Sequence, residues 1–414
     1  MDRQTATRRT ASTQAASTRT ALRTATAGFE PLEGRRLMSV SLNPATHVLT
    51  ATGTAGSDEI VVSLKNGKIR VSDNGTTHDY APAQVNRIVI NGLGGNDSLR
   101  GSDAVTKPMT INGGDGVDFV RGGGGNDALN GGAGNDAIEG GLGNDALTGA
   151  AGADDLKGGS GTDTVDYGYA TLGCVVSLDD VANDGMWFIF SEGDNAHSDV
   201  ENVLGSGKAD TITGSSAANA LDGRGGADTV VGGGGNDALH GGADNDTLRG
   251  GAGNDALYGD AGDDFLDAEN GSIYEADTFW GGTGRDTVSY ASRTVGIRIQ
   301  LDDVANDGFA DDHGSGTEHD NVHTDIEVAV GGAGADGLYG NAFANELIGG
   351  GGSDYIDGAG GPDVLRGGAG DDVIYAKDNF FFETVDGGAG NDTAWIDDIG
   401  FGVKDNATSI ESLM

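Results

Sequence analysis

Large apolar residues recur singly through much of this chain, one in every nine positions. In one run they are Leu129, Ile138, Leu147, Leu156 and Val165, and in a second Leu239, Leu248 and Leu257. A helix needs an apolar residue every three or four positions to build a buried stripe, so this spacing is too sparse for one. It suits a strand of about three residues with a single side chain pointing inward. Two nine-residue units, one strand on each side, make a coil of 18 residues. The apolar residues of alternate units then meet in a thin aliphatic core, and the predicted fold class is all-β: a β-solenoid. Upstream the pattern changes to alternation over residues 59–63, 68–72 and 85–90, separated by Asn-Gly and Asp-Asn-Gly turns. These segments read as strands of an N-terminal β cap, which a solenoid needs to shield its end coil.

The polar positions are as regular as the apolar ones. From Gly113 the chain reads GGDGVDFVR, GGGGNDALN, GGAGNDAIE, GGLGNDALT, GAAGADDLK and GGSGTDTVD without a break. The unit is GGxGxDxUx, where U is the apolar residue. It fills three blocks, at residues 113–166, 205–289 and 331–395, with isolated copies starting at Gly53 and Gly92. The expected organisation is therefore an export segment (1–40), the β cap (41–112), block one, an insert of β or loop structure (167–204), block two, a second such insert (290–330), block three, and a C-terminal strand or tail (396–414). A longer repeat lies over the short one. LDDVANDG at Leu178 returns unchanged at Leu301, 123 residues on, and the segment at His197 returns at His323 after 126. Tandem duplication accounts for this, and solenoids tolerate insertions between coils.

Composition changes the picture in one respect: the core alone is too poor to order the chain. Glycine supplies 77 of 414 residues and aromatics only 6%, against an ordinary glycine share of ~7%. The formal net charge is −41, and residues 1–38 hold seven of the 24 basic residues but only three of the 65 acids. Self-repulsion on that scale opposes compaction, and it excludes nucleic acid and anionic membrane surfaces as partners of the body. A small multivalent cation is the natural partner. The single cysteine, Cys174, rules out an intrachain disulfide and reads as a buried strand position. The longest apolar cluster, Met186 to Phe190, is far too short to span a membrane.

The turns supply the chemistry. Glycines allow positive φ and remove Cβ atoms that would keep backbone carbonyls apart. Coils stack about 4.8 Å apart, so the sixth-position Asp of one repeat faces that of the next coil. Calcium, with oxygen ligands at about 2.3–2.6 Å, fits such a gap better than magnesium. Transition metals favour His or Cys, which the repeat lacks.

Tandem GGAGND-type nonapeptides of this kind resemble the RTX (hemolysin-type) calcium-binding repeat family, whose motif is a known repeat signature. The resemblance implies a parallel β-roll, Ca2+ bound between successive turns, and folding triggered by calcium outside the cell. Carried over residue by residue, it implies ligand carboxylates at Asp97, Asp118, Asp127, Asp136, Asp145, Asp154 and Asp163, at Asp210, Asp228, Asp237, Asp246, Asp255, Asp264 and Asp286, and at Asp336, Asp354, Asp363, Asp372 and Asp392. The chain departs from the pattern where Asn219 and Asn345 replace Asp, where Asp244 replaces the fourth glycine, and where Pro362 precedes Asp363.

Other chemistry finds little footing. LDDVANDG has Ala182 at a would-be ligand position and no Glu twelfth from Asp180, so it is not an EF-hand. Solvated acidic loops are the expectation for both inserts. His313, His319 and His323 lie near Asp311, Asp312 and Glu318, a weak pattern for zinc. No HExxH or GxSxG occurs. Residues 1–28 lack the apolar run of a conventional signal peptide. The segment from Phe29 to Ser39 resembles the LEPR-XLL-type motif of some bacterial surface proteins, which implies export. The sequence thus points to a non-enzymatic, extracellular or cell-surface calcium-binding scaffold or adhesin, with cell-surface polysaccharide or other surface proteins as candidate partners. The alternative is an accessory calcium-binding module of an exported enzyme or toxin, such as a polysaccharide-modifying one.

Overall fold

The computed structural model describes residues 38–186, 192–268, 275–309, 319–377, 382–396 and 406–414. Most of the proposed export segment, the apolar residues Trp187–Phe190, and His313 with its acidic neighbours lie outside them. Among the described residues the structure is all-β apart from one 3-10 turn, Pro82–Gln84. Its strands form sheets of 13, 8, 12 and 7 members.

Each nonapeptide forms one rung. Ala128–Ala133 pairs in parallel with Ala146–Ala151, one coil of 18 residues later, with Leu129 opposite Leu147. On the other wall Ala137–Leu142 pairs in parallel with Asp155–Ser160, with Ile138 opposite Leu156. Along each strand only the apolar residue and the first glycine of the next repeat are buried. The glycine matters because it leaves room for the turn that follows. The apolar residues form one continuous core cluster along the solenoid. Cys174 is buried in it, as its strand position predicts.

At the N-terminal end, Glu59–Lys65, Lys68–Asp73 and Thr76–Tyr80 form an antiparallel meander at the edge of the eight-stranded sheet. Its two Asn-Gly corners take positive φ at Asn66, Gly67, Asn74 and Gly75, the backbone that two-residue hairpins require. Ser39–Leu42 and Val48–Thr52 pair antiparallel, and Val48–Thr52 then pairs in parallel with Arg87–Gly94 to start the first wall.

The two inserts are part of the walls. In the first, Cys174–Ser177 pairs antiparallel with Gly185–Met186, and an antiparallel bridge between Asp184 and Asp194 leads on to Asn195–Ala196, the last rung of the eight-stranded sheet. The eight-stranded sheet thereby hands over to the twelve-stranded one. Meanwhile the opposite wall steps directly from Thr164–Asp166 to Asn202–Leu204. The second insert repeats the device on that opposite wall: Ile297–Gln300, Gly308–Phe309 and the Asp307–Asp320 bridge join the seven-stranded sheet to the thirteen-stranded one. At about 4.8 Å per strand, each insert lengthens one wall by roughly 10 Å, first one wall and then the other.

This corrects the expectation of solvated acidic loops. Asp179 and Asp180 are exposed, but Asp184, Asp194, Asp307 and Asp320 are completely buried. Asp184 accepts the N–H groups of Ser177 and Ala196 at 2.7 and 2.8 Å, and its copy Asp307 accepts those of Gln300 and Val322 at 2.6 and 2.9 Å. A short antiparallel pair in a parallel wall leaves these donors without strand partners, and a buried carboxylate satisfies two at once.

Candidate metal centre

At each corner of the solenoid the sixth-position side chains stack into ladders. One carboxylate oxygen accepts the backbone N–H of the corresponding residue one coil earlier, at 2.7–3.0 Å throughout. The first ladder runs Asp58, Asp97, Asp118, Asp136, Asp154, Asp194. The second begins at the Met109 N–H and runs Asp127, Asp145, Asp163, Glu201, then resumes as Asn219, Asp237, Asp255, Asp277, Asp320. The third begins at the Cys174 N–H and runs Asp210, Asp228, Asp246, Asp264, Asp286, Glu327, followed by Asn345 to Asp363. The fourth begins at the Ile297 N–H and runs Asp336, Asp354, Asp372, Asp392, Glu411.

Every aspartate that the repeat pattern singles out falls in one of these ladders. Sequence reasoning missed Asp58, Asp194, Glu201, Asp277, Asp320, Glu327 and Glu411. The isolated copy at Gly53 carries the signal for Asp58. The others stand outside the 18-residue spacing, for example 38 residues between Asp163 and Glu201.

The second carboxylate oxygen distinguishes these ladders from ordinary hydrogen-bonded chains. In Asp97, Asp118, Asp136, Asp145, Asp154 and Asp163 it is buried without a hydrogen-bond partner, and the same holds for Asp228, Asp237, Asp246, Asp255, Asp264, Asp286, Asp354, Asp372 and Asp392. A buried, unpartnered carboxylate oxygen is costly, and its recurrence along the ladders points to a missing positive partner. The first glycine of each repeat shows where such a partner has room. A Cβ on Gly113 would lie 2.4 Å from both Asp118 Oδ2 and the Gly131 carbonyl oxygen; on Gly140 it would lie 2.5 Å from Asp145 Oδ2 and 2.3 Å from the Gly158 carbonyl. Carboxylate and carbonyl oxygens converge on a space only glycine leaves open. The donor set is hard oxygen, which suits calcium.

Among the described residues no three His, Cys, Asp or Glu side chains gather as a side-chain metal cluster; the other oxygens beside the corner carboxylates are backbone carbonyls. Of the histidine pattern, only His319 and His323 lie among the described residues. His319 is exposed, whereas His323 stacks on Trp280 with ring centroids 4.5 Å apart and sits 3.0 Å from Asp303.

Burial pushes Asp136, Asp145 and Asp228 up, and neighbouring carboxylates add to the shift. Asp136 and Asp145 rise to about 7 and Asp228 to about 8. Their folded values lie above the unfolded value of ~3.9, so without metal protonation favours the folded form. That stabilisation is complete below ~3.9 and is lost as pH rises through about 7 to 8. In EGTA, acidification from pH 8.5 to 4.5 is therefore expected to increase β-sheet circular dichroism. A chelated chain that loses structure on acidification would contradict this.

The fold and its corners define a parallel β-solenoid held at its turns by stacked carboxylates and backbone carbonyls. Residues 110–138, 130–165, 204–239, 240–272, 275–290, 330–365, 348–378 and 381–395 match the RTX calcium-binding nonapeptide repeat, and the chain belongs to that calcium-binding family. No curated protein matches the chain. Among the described residues no helix is long and apolar enough to cross a membrane.

Proposed function

We propose that this protein is an extracellular calcium-binding scaffold that folds when calcium reaches it and that its work is structural or adhesive, without catalysis. The sixth-position aspartates that keep a buried, unpartnered oxygen are the ligands in this reading, together with the glycine carbonyls that face them. Bound calcium would supply the positive charge that lets like-charged carboxylates stack. The chain's own residues contribute the rest: the ladder N–H bonds orient each carboxylate, and the bare glycine Cα atoms open the corner.

One observation carries the reading, the recurrence of a buried, unpartnered carboxylate oxygen beside a carbonyl at turn after turn. The acidic surface supports a site of action where calcium is abundant, and the family's repeats are typically found in secreted proteins. Residues 41–112 serve as the end cap, and residues 1–40 as the export segment. Equilibrium dialysis tests the binding. Many calcium ions per chain are expected at millimolar free calcium, with magnesium a poor substitute. A chain that takes up no calcium under those conditions sinks the proposal.

A further inference from the structure

The turns are of two kinds, and the difference sorts the carboxylates. In six of the described turns, at residues 53–58, 122–127, 205–210, 214–219, 331–336 and 340–345, the second residue's N–H donates to the sixth side chain of the same turn. The bonds are Thr54 to Asp58, Gly123 to Asp127 and Ser206 to Asp210 at 2.6 Å, Ser215 to Asn219 and Gly332 to Asp336 at 2.7 Å, and Asn341 to Asn345 at 2.9 Å. None of these turns has a positive φ at its second or fourth residue. In the others the second residue lies at positive φ, as at Gly132 (110°), Arg224 (71°), Gly233 (103°) and Gly350 (99°), and the aspartates of these four turns, Asp136, Asp228, Asp237 and Asp354, each keep one oxygen unpartnered.

Stacking explains the division. A turn with positive φ lies on the turn one coil earlier: a Cβ on Gly132 would meet the Gly114 carbonyl oxygen at 2.2 Å, and one on Gly233 would meet that of Ser215 at 2.4 Å. Four of the six closed turns are the first glycine turn at their corner, and the other two, 214–219 and 340–345, are the first after the coils of Glu201 and Glu327 interrupt the ladder. Turn 122–127 rests on the irregular segment after Gly101, where Gly124 donates to the Val105 carbonyl, and turn 331–336 rests on the second insert, where Ala333 donates to the Arg293 carbonyl. With no glycine turn beneath to lean on, the turn folds back on its own side chain.

We propose that these six turns are metal-independent starters, and that calcium is held only from the second glycine turn of each uninterrupted run onward. The inference rests on the calcium reading above. It removes Asp127, Asp210 and Asp336 from the ligand set, because both oxygens of each already accept N–H bonds, the second from Met109, Cys174 and Ile297 respectively. It also accounts for Asn219 and Asn345. A closed turn needs one neutral acceptor and no charge, and both asparagines stand in closed turns.

Calcium stoichiometry of the full chain by equilibrium dialysis tests the assignment. The triple variant Asp127→Asn, Asp210→Asn, Asp336→Asn is expected to bind as many ions as the parent. The matched variant Asp136→Asn, Asp228→Asn, Asp354→Asn is expected to lose at least one ion per substituted turn. Equal losses in both triples, or no loss in either, overturn the assignment while leaving calcium binding by the parent intact; a parent that binds none overturns the functional reading itself. If a triple variant does not fold, the double variant Asn219→Asp, Asn345→Asp decides. Its ion count is expected to stay unchanged, and a gain of ions overturns the proposal.

Discussion

Stripped of divalent cations by EGTA at neutral pH, the protein is expected to lose most of its β-sheet circular dichroism and to regain it when calcium is restored. The magnitude follows from the ladders. Each buried polar group left unsatisfied costs about 1–3 kcal/mol, and more when charged. More than a dozen carboxylate oxygens are in that condition, which outweighs the ~5–15 kcal/mol stability of a typical domain. The core has little in reserve, because each nonapeptide contributes one large apolar residue. Calcium reverses the balance by mass action: a site at ten times its Kd adds about 1.4 kcal/mol, and the sites act together because each coil is the platform for the next. Collapse should be cooperative within a block and should spare the antiparallel meander of residues 59–80, which carries none of the stacked turns. A chelated chain with unchanged spectrum and unchanged melting temperature would show that the carboxylate stacks are not held by metal.

The second large effect concerns a single methyl group. Gly134→Ala places a Cβ 1.6 Å from the Gly116 carbonyl oxygen, at a φ of 134°. That conformation alone costs a side-chain-bearing residue about 1–3 kcal/mol. The overlap also forces two coils apart at the corner where Asp118 and Asp136 stack. The expected result is a loss of about 3 kcal/mol or more and a higher calcium concentration at the folding midpoint. Gly67→Ala is the control. Gly67 has a similarly left-handed φ of 72°, yet nothing lies within 4 Å of its Cβ position, so only the backbone term of about 1–2 kcal/mol remains. Urea unfolding of both variants at fixed calcium separates the terms. Equal losses would mean that coil stacking at Gly134 is looser than its contacts indicate.

The inserts show where reading along the chain stops. Leu178 to Gly185 and its exact copy at Leu301 look like an acidic loop, since six polar or small residues accompany two apolar ones. In the folded chain Asp184 and Asp307 are buried because a short antiparallel pair interrupts a parallel wall and leaves N–H groups that need an acceptor. Glu201 gives no local sign of continuing an aspartate ladder. Its longer side chain reaches the Asp163 N–H at 2.7 Å only because the chain detours through the opposite wall before returning.

The nine-residue period by itself determined the strand, the 18-residue coil, the inward position of Leu129 and its equivalents, and the corner stacking of the aspartates 18 residues apart. Those features depend on neighbours a fixed distance along the chain, and a repeat states that distance openly. Tertiary structure alone decided which carboxylates keep a free oxygen, because that depends on what lies one coil beneath a turn. Asp127 and Asp136 occupy the same place in the same motif. Asp136 stands above a glycine turn and Asp127 above an irregular segment, and that difference in the supporting layer separates a turn closed by its own backbone from one with an oxygen left to share.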